Sequence, residues 1–85
     1  MARKINSLNS IQLAAIEEYR RRLAEEFPDI KILKVRAING TIDICLSDNS
    51  MRDYTTFNRT TELAIEVEDR YADVVLLPRT IPHEE

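Results

Sequence analysis

The chain has 85 residues, 44% of them hydrophobic and 32% charged, with a formal net charge of −3, one cysteine, one histidine and one glycine. A chain this short forms one domain, residues 1–85, and buries only about 60% of the surface its unfolded form exposes, so every element has to share a single core. The lone cysteine rules out an internal disulfide, one cysteine with one histidine cannot complete a tetrahedral metal site, and one glycine cannot build a glycine-rich phosphate loop.

Charge is unevenly spread. Residues 1–47 carry eight Lys/Arg against six Asp/Glu, whereas residues 48–85 carry four against nine. An acidic second half would repel phosphate, which argues against a broad nucleic-acid footprint. Met1 to Asn9 lacks the apolar run of a signal peptide, and no stretch approaches a membrane span. These features predict a cytoplasmic protein with neither nucleic acid nor membrane as partner.

In chain order, residues 1–8 carry no strong pattern and are expected to be flexible. A helix then begins at Asn9, which can cap it with Gln12 three residues on, while Leu8 and Leu13 have the spacing of a hydrophobic staple. Ala15, Ile16, Tyr19, Leu23 and Phe27 recur on one helical face, with Glu17, Glu18, Arg21 and Glu25 opposite, and Pro28 ends the helix. The run Arg20-Arg21-Arg22 points in three directions about 100° apart, so it reads as a solvated surface and not as a phosphate site.

Ile30 to Asp48 reads as a hairpin, two strand-like runs joined by Asn39-Gly40, the residue pair that a two-residue turn with positive φ favours. Leu33, Val35 and Ala37 share one face of the first strand, with Lys34 and Arg36 on the other. On the second, Ile42, Ile44 and Leu46 oppose Thr41, Asp43, Cys45 and Ser47.

A polar connection, residues 48–53, leads to a second helix that Asp53 can cap against Thr56. Its apolar stripe is Phe57, Thr60, Ala64, Val67 and Tyr71, with Arg59, Glu62, Glu66 and Arg70 on the far side. Ile65 lies off the stripe and Glu68 close to it, so one of them is expected to meet a further group. Asp73 to Arg79 contains Val74-Val75-Leu76-Leu77 without alternation, the composition of a strand buried on both faces, with Pro78 and Pro82 ending it and residues 80–85 as a flexible tail. The order α-β-β-α-β predicts an α+β two-layer sandwich, a three-stranded sheet with both helices on one face.

Little in this framework carries chemistry. His83 sits in the tail without a partner for catalysis or metal, and Cys45 lies beside Asp43 and Ser47 with no activating cation. No catalytic residue, metal ligand or cofactor is assigned, and the chain reads as non-enzymatic. The five aromatics all fall outside the strands, which removes the stacking platform of a single-strand RNA binder.

Thr41-Ile42-Asp43 on the second strand and Tyr71-Ala72-Asp73-Val74-Val75 before the third faintly resemble the acidic positions of the minimal nucleotidyltransferases, whose core runs helix, strand, strand ending in Asp-x-Asp, helix, strand with a third acid. The resemblance implies a degenerate relative with a weak metal and nucleotide site at Asp43 and Asp73. Thr41 stands where the first acid would be, and only Asn39-Gly40 stands where the family has its Gly-Ser motif.

The favoured reading is a small protein-binding or regulatory module acting through the sheet face turned away from the helices. Two layers cannot bury both the Val74/Leu76 pair and the Val75/Leu77 pair, so one pair is left for another protein chain, most simply a second copy. Val75, Leu77, Lys34, Arg36, Thr41, Asp43 and Ile65 are the candidate contact residues.

Overall fold

The computed structural model describes residues 8–38, 40–71 and 73–80. In chain order they form helix α1 (Ser10–Glu26), strands β1 (Ile32–Ile38) and β2 (Thr41–Leu46), a 3-10 turn (Asp48–Met51), helix α2 (Tyr54–Glu68) and strand β3 (Val75–Thr80). Across the sheet the order is β1-β2-β3, with β1 antiparallel to β2 and β3 parallel to it. A parallel neighbour requires a crossover, and α2 supplies it. Both helices pack with the sheet in one core, so the fold is the α-β-β-α-β two-layer sandwich that the sequence predicts.

Each helix starts where its capping residue is placed. Asn9 Oδ1 accepts from the Gln12 backbone N–H at 2.7 Å and Gln12 Oε1 accepts from the Asn9 N–H at 3.0 Å, a closed capping box. Asp53 Oδ1 accepts from the Thr56 N–H at 2.8 Å at the start of α2. Leu8 packs against the core while Leu13 is half-exposed, so Leu13 contributes little to a staple. At the hairpin, Ile38 pairs with Thr41 and Gly40 has φ +84°, the left-handed conformation that selects glycine. Asn39, His83 and the termini expected to be flexible lie outside the described residues, apart from Leu8 and Thr80.

Ala15, Tyr19 and Leu23 from α1, Leu63, Ala64 and Val67 from α2, and Ile42, Ile44, Leu46 and Leu76 from the strands form the core, joined by Ile30 and Val74. Tyr19 is fully buried, and its hydroxyl donates to the Thr60 carbonyl oxygen at 3.0 Å, tying α1 to the middle of α2. The 28–31 loop is fastened to the turn after β2: Arg52 bonds Asp29 at 2.6 Å, Asn49 Nδ2 donates to the Asp29 carbonyl at 2.6 Å, and Ser47 Oγ accepts from the Lys31 N–H at 2.9 Å.

Four expectations are corrected. In β1, Ile32 pairs with Leu46 and Lys34 with Cys45, so Leu33 is an extra residue in a bulge; Ile32, not Leu33, joins Val35 against the core, and Leu33 is exposed. Glu18, assigned to the solvated face, is only 7% exposed because Arg22, Arg70 and Tyr71 close over it. Leu63 is fully buried in α2, whereas Phe57 is only half-buried. Finally, β3 is an edge strand that runs through Pro78, with Val74, Leu76 and Pro78 buried and Val75 and Leu77 facing outward. It is buried on one face, not two.

Candidate functional site

Alternation along the three strands decides what the outer sheet face carries. Lys34, Arg36 and Ile38 stand on β1, Thr41, Asp43 and Cys45 on β2, and Val75, Leu77 and Arg79 on β3. Register places Arg36 and Leu77 on either side of Asp43, and Lys34 and Arg79 on either side of Cys45. Ile38, Val75 and Leu77 are each a little under half exposed, at 45%, 48% and 46%. Together with Thr41, Asp43 and Arg79, Ile38 and Leu77 line a shallow groove across the central strand.

Asp43 is the centre of this face. Although it lies on the side without helices, its side chain is only 4% exposed, enclosed by its neighbours. Arg79 Nε donates to Oδ1 at 2.9 Å, and the Arg36 guanidinium lies 3.6 Å from Oδ2. Both arginine side chains stay about half exposed. One buried carboxylate thus fixes two cations whose remaining donors are available to solvent.

Both edges of the sheet resist extension by another strand. In β3 the Leu76 N–H donates to Glu68 Oε2 at 2.6 Å, so it points away from β2 and is occupied. Pro78, two residues on, addresses the same edge and has no N–H to offer. This accounts for Glu68 lying near the apolar stripe of α2: its carboxylate closes the β3 edge. The β1 edge carries the bulge at Leu33 and the charged Lys34 and Arg36, features that discourage pairing.

The charged surface between the helices is a different kind of feature. Arg22 bridges Glu18 and Glu66, Arg59 bridges Glu26, Glu62 and Glu66, and Arg70 reaches Glu18, all at 2.7–3.2 Å. Burial works to raise the pKa of Glu18, but the Tyr71 hydroxyl, Arg22 and Arg70 outweigh it and hold the carboxyl below its ordinary value. Arg20 pairs with Glu17. This network joins α1 to α2, and of the triple arginine Arg20 and Arg22 are each paired with carboxylates on different sides of the helix.

Of the sequence-selected residues, the structure brings Lys34, Arg36, Thr41, Asp43, Val75 and Leu77 onto one face. It leaves Ile65 apart, exposed on α2 in the other layer. It adds Ile38 and Arg79, both legible from period-two alternation. Cys45 is on this face as expected, but buried. Asp43 and Asp73 are not register partners: Asp43 pairs with Leu77, whereas Asp73 lies in the turn two residues before β3 begins. Asp73 turns the chain with φ +63°, and both Asp43 oxygens face arginines. Among the described residues no group of three or more His, Cys, Asp or Glu is placed to hold a metal ion, and no helix is long and apolar enough to cross a membrane. No protein-family model matches the chain, and neither curated proteins nor solved structures give a match.

Proposed function

We propose that the protein is a small non-enzymatic binding module whose outer sheet face docks another protein chain. The observation that carries this reading is the outer face itself: three half-exposed apolar side chains around two arginines paired with a buried aspartate, on a sheet whose edges resist extension. A face that combines apolar anchors with oriented guanidinium groups has the composition of an interface centre. The register, which does not pair Asp43 with Asp73, and the arginines already on Asp43 weigh against the alternative of a metal and nucleotide site.

Site-specific photo-crosslinking tests this directly. A crosslinker replacing Leu77 should give one discrete adduct in lysate of the native cells, lost when Val75→Lys is added. The same group at Glu17, on the helix side, should give none. Sizing over a wide concentration range, with Leu77→Lys alongside, tells a second copy from a different chain. A strictly monomeric protein with no more adduct at 77 than at 17 would overturn the proposal. A thermal-shift rise with nucleotide and magnesium would revive the metal-site alternative.

A further inference from the structure

We infer that the docked partner presents carboxylate side chains between apolar ones, and that Arg36 and Arg79 are the residues that receive them. This rests on the reading of the outer sheet face as a docking surface and specifies its ligand chemistry.

Charge is the first argument. Among the described residues of the three strands, Lys34, Arg36 and Arg79 stand on the face against the single acid Asp43, an excess of positive charge although the chain as a whole is at −3. Two copies laid face to face would bring like charges together, whereas an acidic surface would be complementary. Apolar area points the same way. Ile38, Val75 and Leu77 have already lost about half their exposed surface to folding, and covering the remainder cannot by itself offset the cost of association. Polar contacts of good geometry have to supply the difference.

The Asp43 cluster provides that geometry. Arg79 spends its Nε on Asp43 at 2.9 Å, leaving its terminal nitrogens, and Arg36 approaches through one terminal nitrogen at 3.6 Å. Each guanidinium therefore retains donors for an incoming carboxylate, while the carboxylate behind it limits the freedom lost on binding. Asp43 is a positioning residue; Arg36 and Arg79 make the contact. Phosphate would satisfy the same donors, but Ile38, Val75 and Leu77 surround them and no described aromatic lies on a strand, so a nucleic acid would find Lys34 as the one further cation of the face and no stacking surface.

The probe is an acetylated and amidated Val-Glu-Val-Glu-Val peptide titrated into the isotope-labelled chain and followed by amide and arginine Nε NMR signals. Saturable shifts confined to the outer sheet face and largest at Arg36, Asp43, Leu77 and Arg79 are expected, with no response to the Val-Lys-Val-Lys-Val counterpart. Arg36→Glu or Arg79→Glu should weaken binding about tenfold or more, the scale of one charge-assisted contact. Both side chains are half exposed, and melting curves establish that the variants are folded. Asp43→Asn should weaken the peptide without abolishing it, whereas a purely structural aspartate would lower the melting temperature and leave affinity unchanged. Equal binding by the lysine peptide, no saturable shift, or arginine variants that bind like the parent would overturn the assignment. So would saturable binding of oligouridylate or inorganic phosphate without that of the glutamate peptide. A crosslinked partner at position 77 combined with any of these failures would leave the docking face standing and remove only the carboxylate chemistry.

Discussion

Replacing Tyr19 by Phe tests the hydrogen bond that joins the two helices across the core. The ring of Tyr19 is fully buried and its hydroxyl donates to the Thr60 carbonyl at 3.0 Å. Phenylalanine keeps the ring, so no cavity of consequence opens and the loss is confined to one hydrogen bond. In mid-helix the Thr60 carbonyl also accepts from the N–H four residues on, and it keeps that bond in the variant. The expected cost is therefore about 1 kcal/mol, set by the net value of a hydrogen bond and not by the penalty of an orphaned carbonyl. In a domain of this size that lowers Tm by roughly 4–8 °C. Tyr19→Ala, which removes the ring as well, should cost about 3–5 kcal/mol. Burial also raises the Tyr19 pKa above its ordinary value. The unfolded chain then ionises first, so the associated stability is complete below about pH 10 and is lost as pH rises beyond it. The Phe variant lacks this loss, and its deficit against the parent should shrink in alkali. Urea denaturation between pH 7 and 11 reads both effects; a Phe variant as stable as the parent at pH 7, or one as damaged as the Ala variant, would refute the account.

Two further outcomes follow from local geometry and charge. Gly40→Val should cost roughly 1–3 kcal/mol because Gly40 has φ +84°. No neighbouring atom lies within 4 Å of an added Cβ, so the penalty is conformational and a stability-neutral variant would contradict it. In acid, stability should fall as pH drops below about 4, because Glu18, Glu26, Asp29 and Asp53 have folded pKa values below their ordinary ones. Arg59 holds Glu26 down, Arg52 holds Asp29, and the Thr56 N–H holds Asp53. Their stabilisation is complete above the unfolded values and disappears as pH falls through the folded ones, which chemical denaturation at pH 2–6 would follow.

Helix starts and the hairpin were legible because local chemistry determines them: Asn9 with Gln12, Asp53 with Thr56, and a glycine at positive φ each act within a few residues. The errors fell where distant groups decide. Glu18 has the helical position of a solvated residue, and only the arrival of Arg70 and Tyr71 from the other end of the chain encloses it. Leu33 fits strict alternation, but the bulge shifts the pattern by one residue. Pro78 reads as a terminator because a proline interrupts a central strand, and it is tolerated here because β3 is an edge strand and the N–H that proline lacks would point away from β2. The outer-face pair Val75 and Leu77 was legible from alternation, but that Asp43 is buried between two arginines required the register of all three strands.

Asp43 itself gives a last prediction that separates stability from function. A carboxylate enclosed to 4% exposure has lost most of its hydration, and its pairing with Arg36 and Arg79 offsets that cost without necessarily exceeding it. Both arginines are half exposed, so removing the carboxylate would return them to water and leave no stranded buried charge. Val is apolar, close to Asp in volume and well suited to a central strand. Asp43→Val should thus be as stable as the parent or about 1 kcal/mol more stable, while the Arg36 and Arg79 side chains become more mobile on the nanosecond scale. Denaturant midpoints measure the first effect and relaxation of the arginine Nε–H groups the second. A loss of more than about 2 kcal/mol would show that Asp43 is a structural anchor, and unchanged arginine mobility would show that it does not orient them. If stability is kept while the guanidinium groups loosen, the fold has no need of this carboxylate, and its place on the outer face is explained by what the two arginines bind.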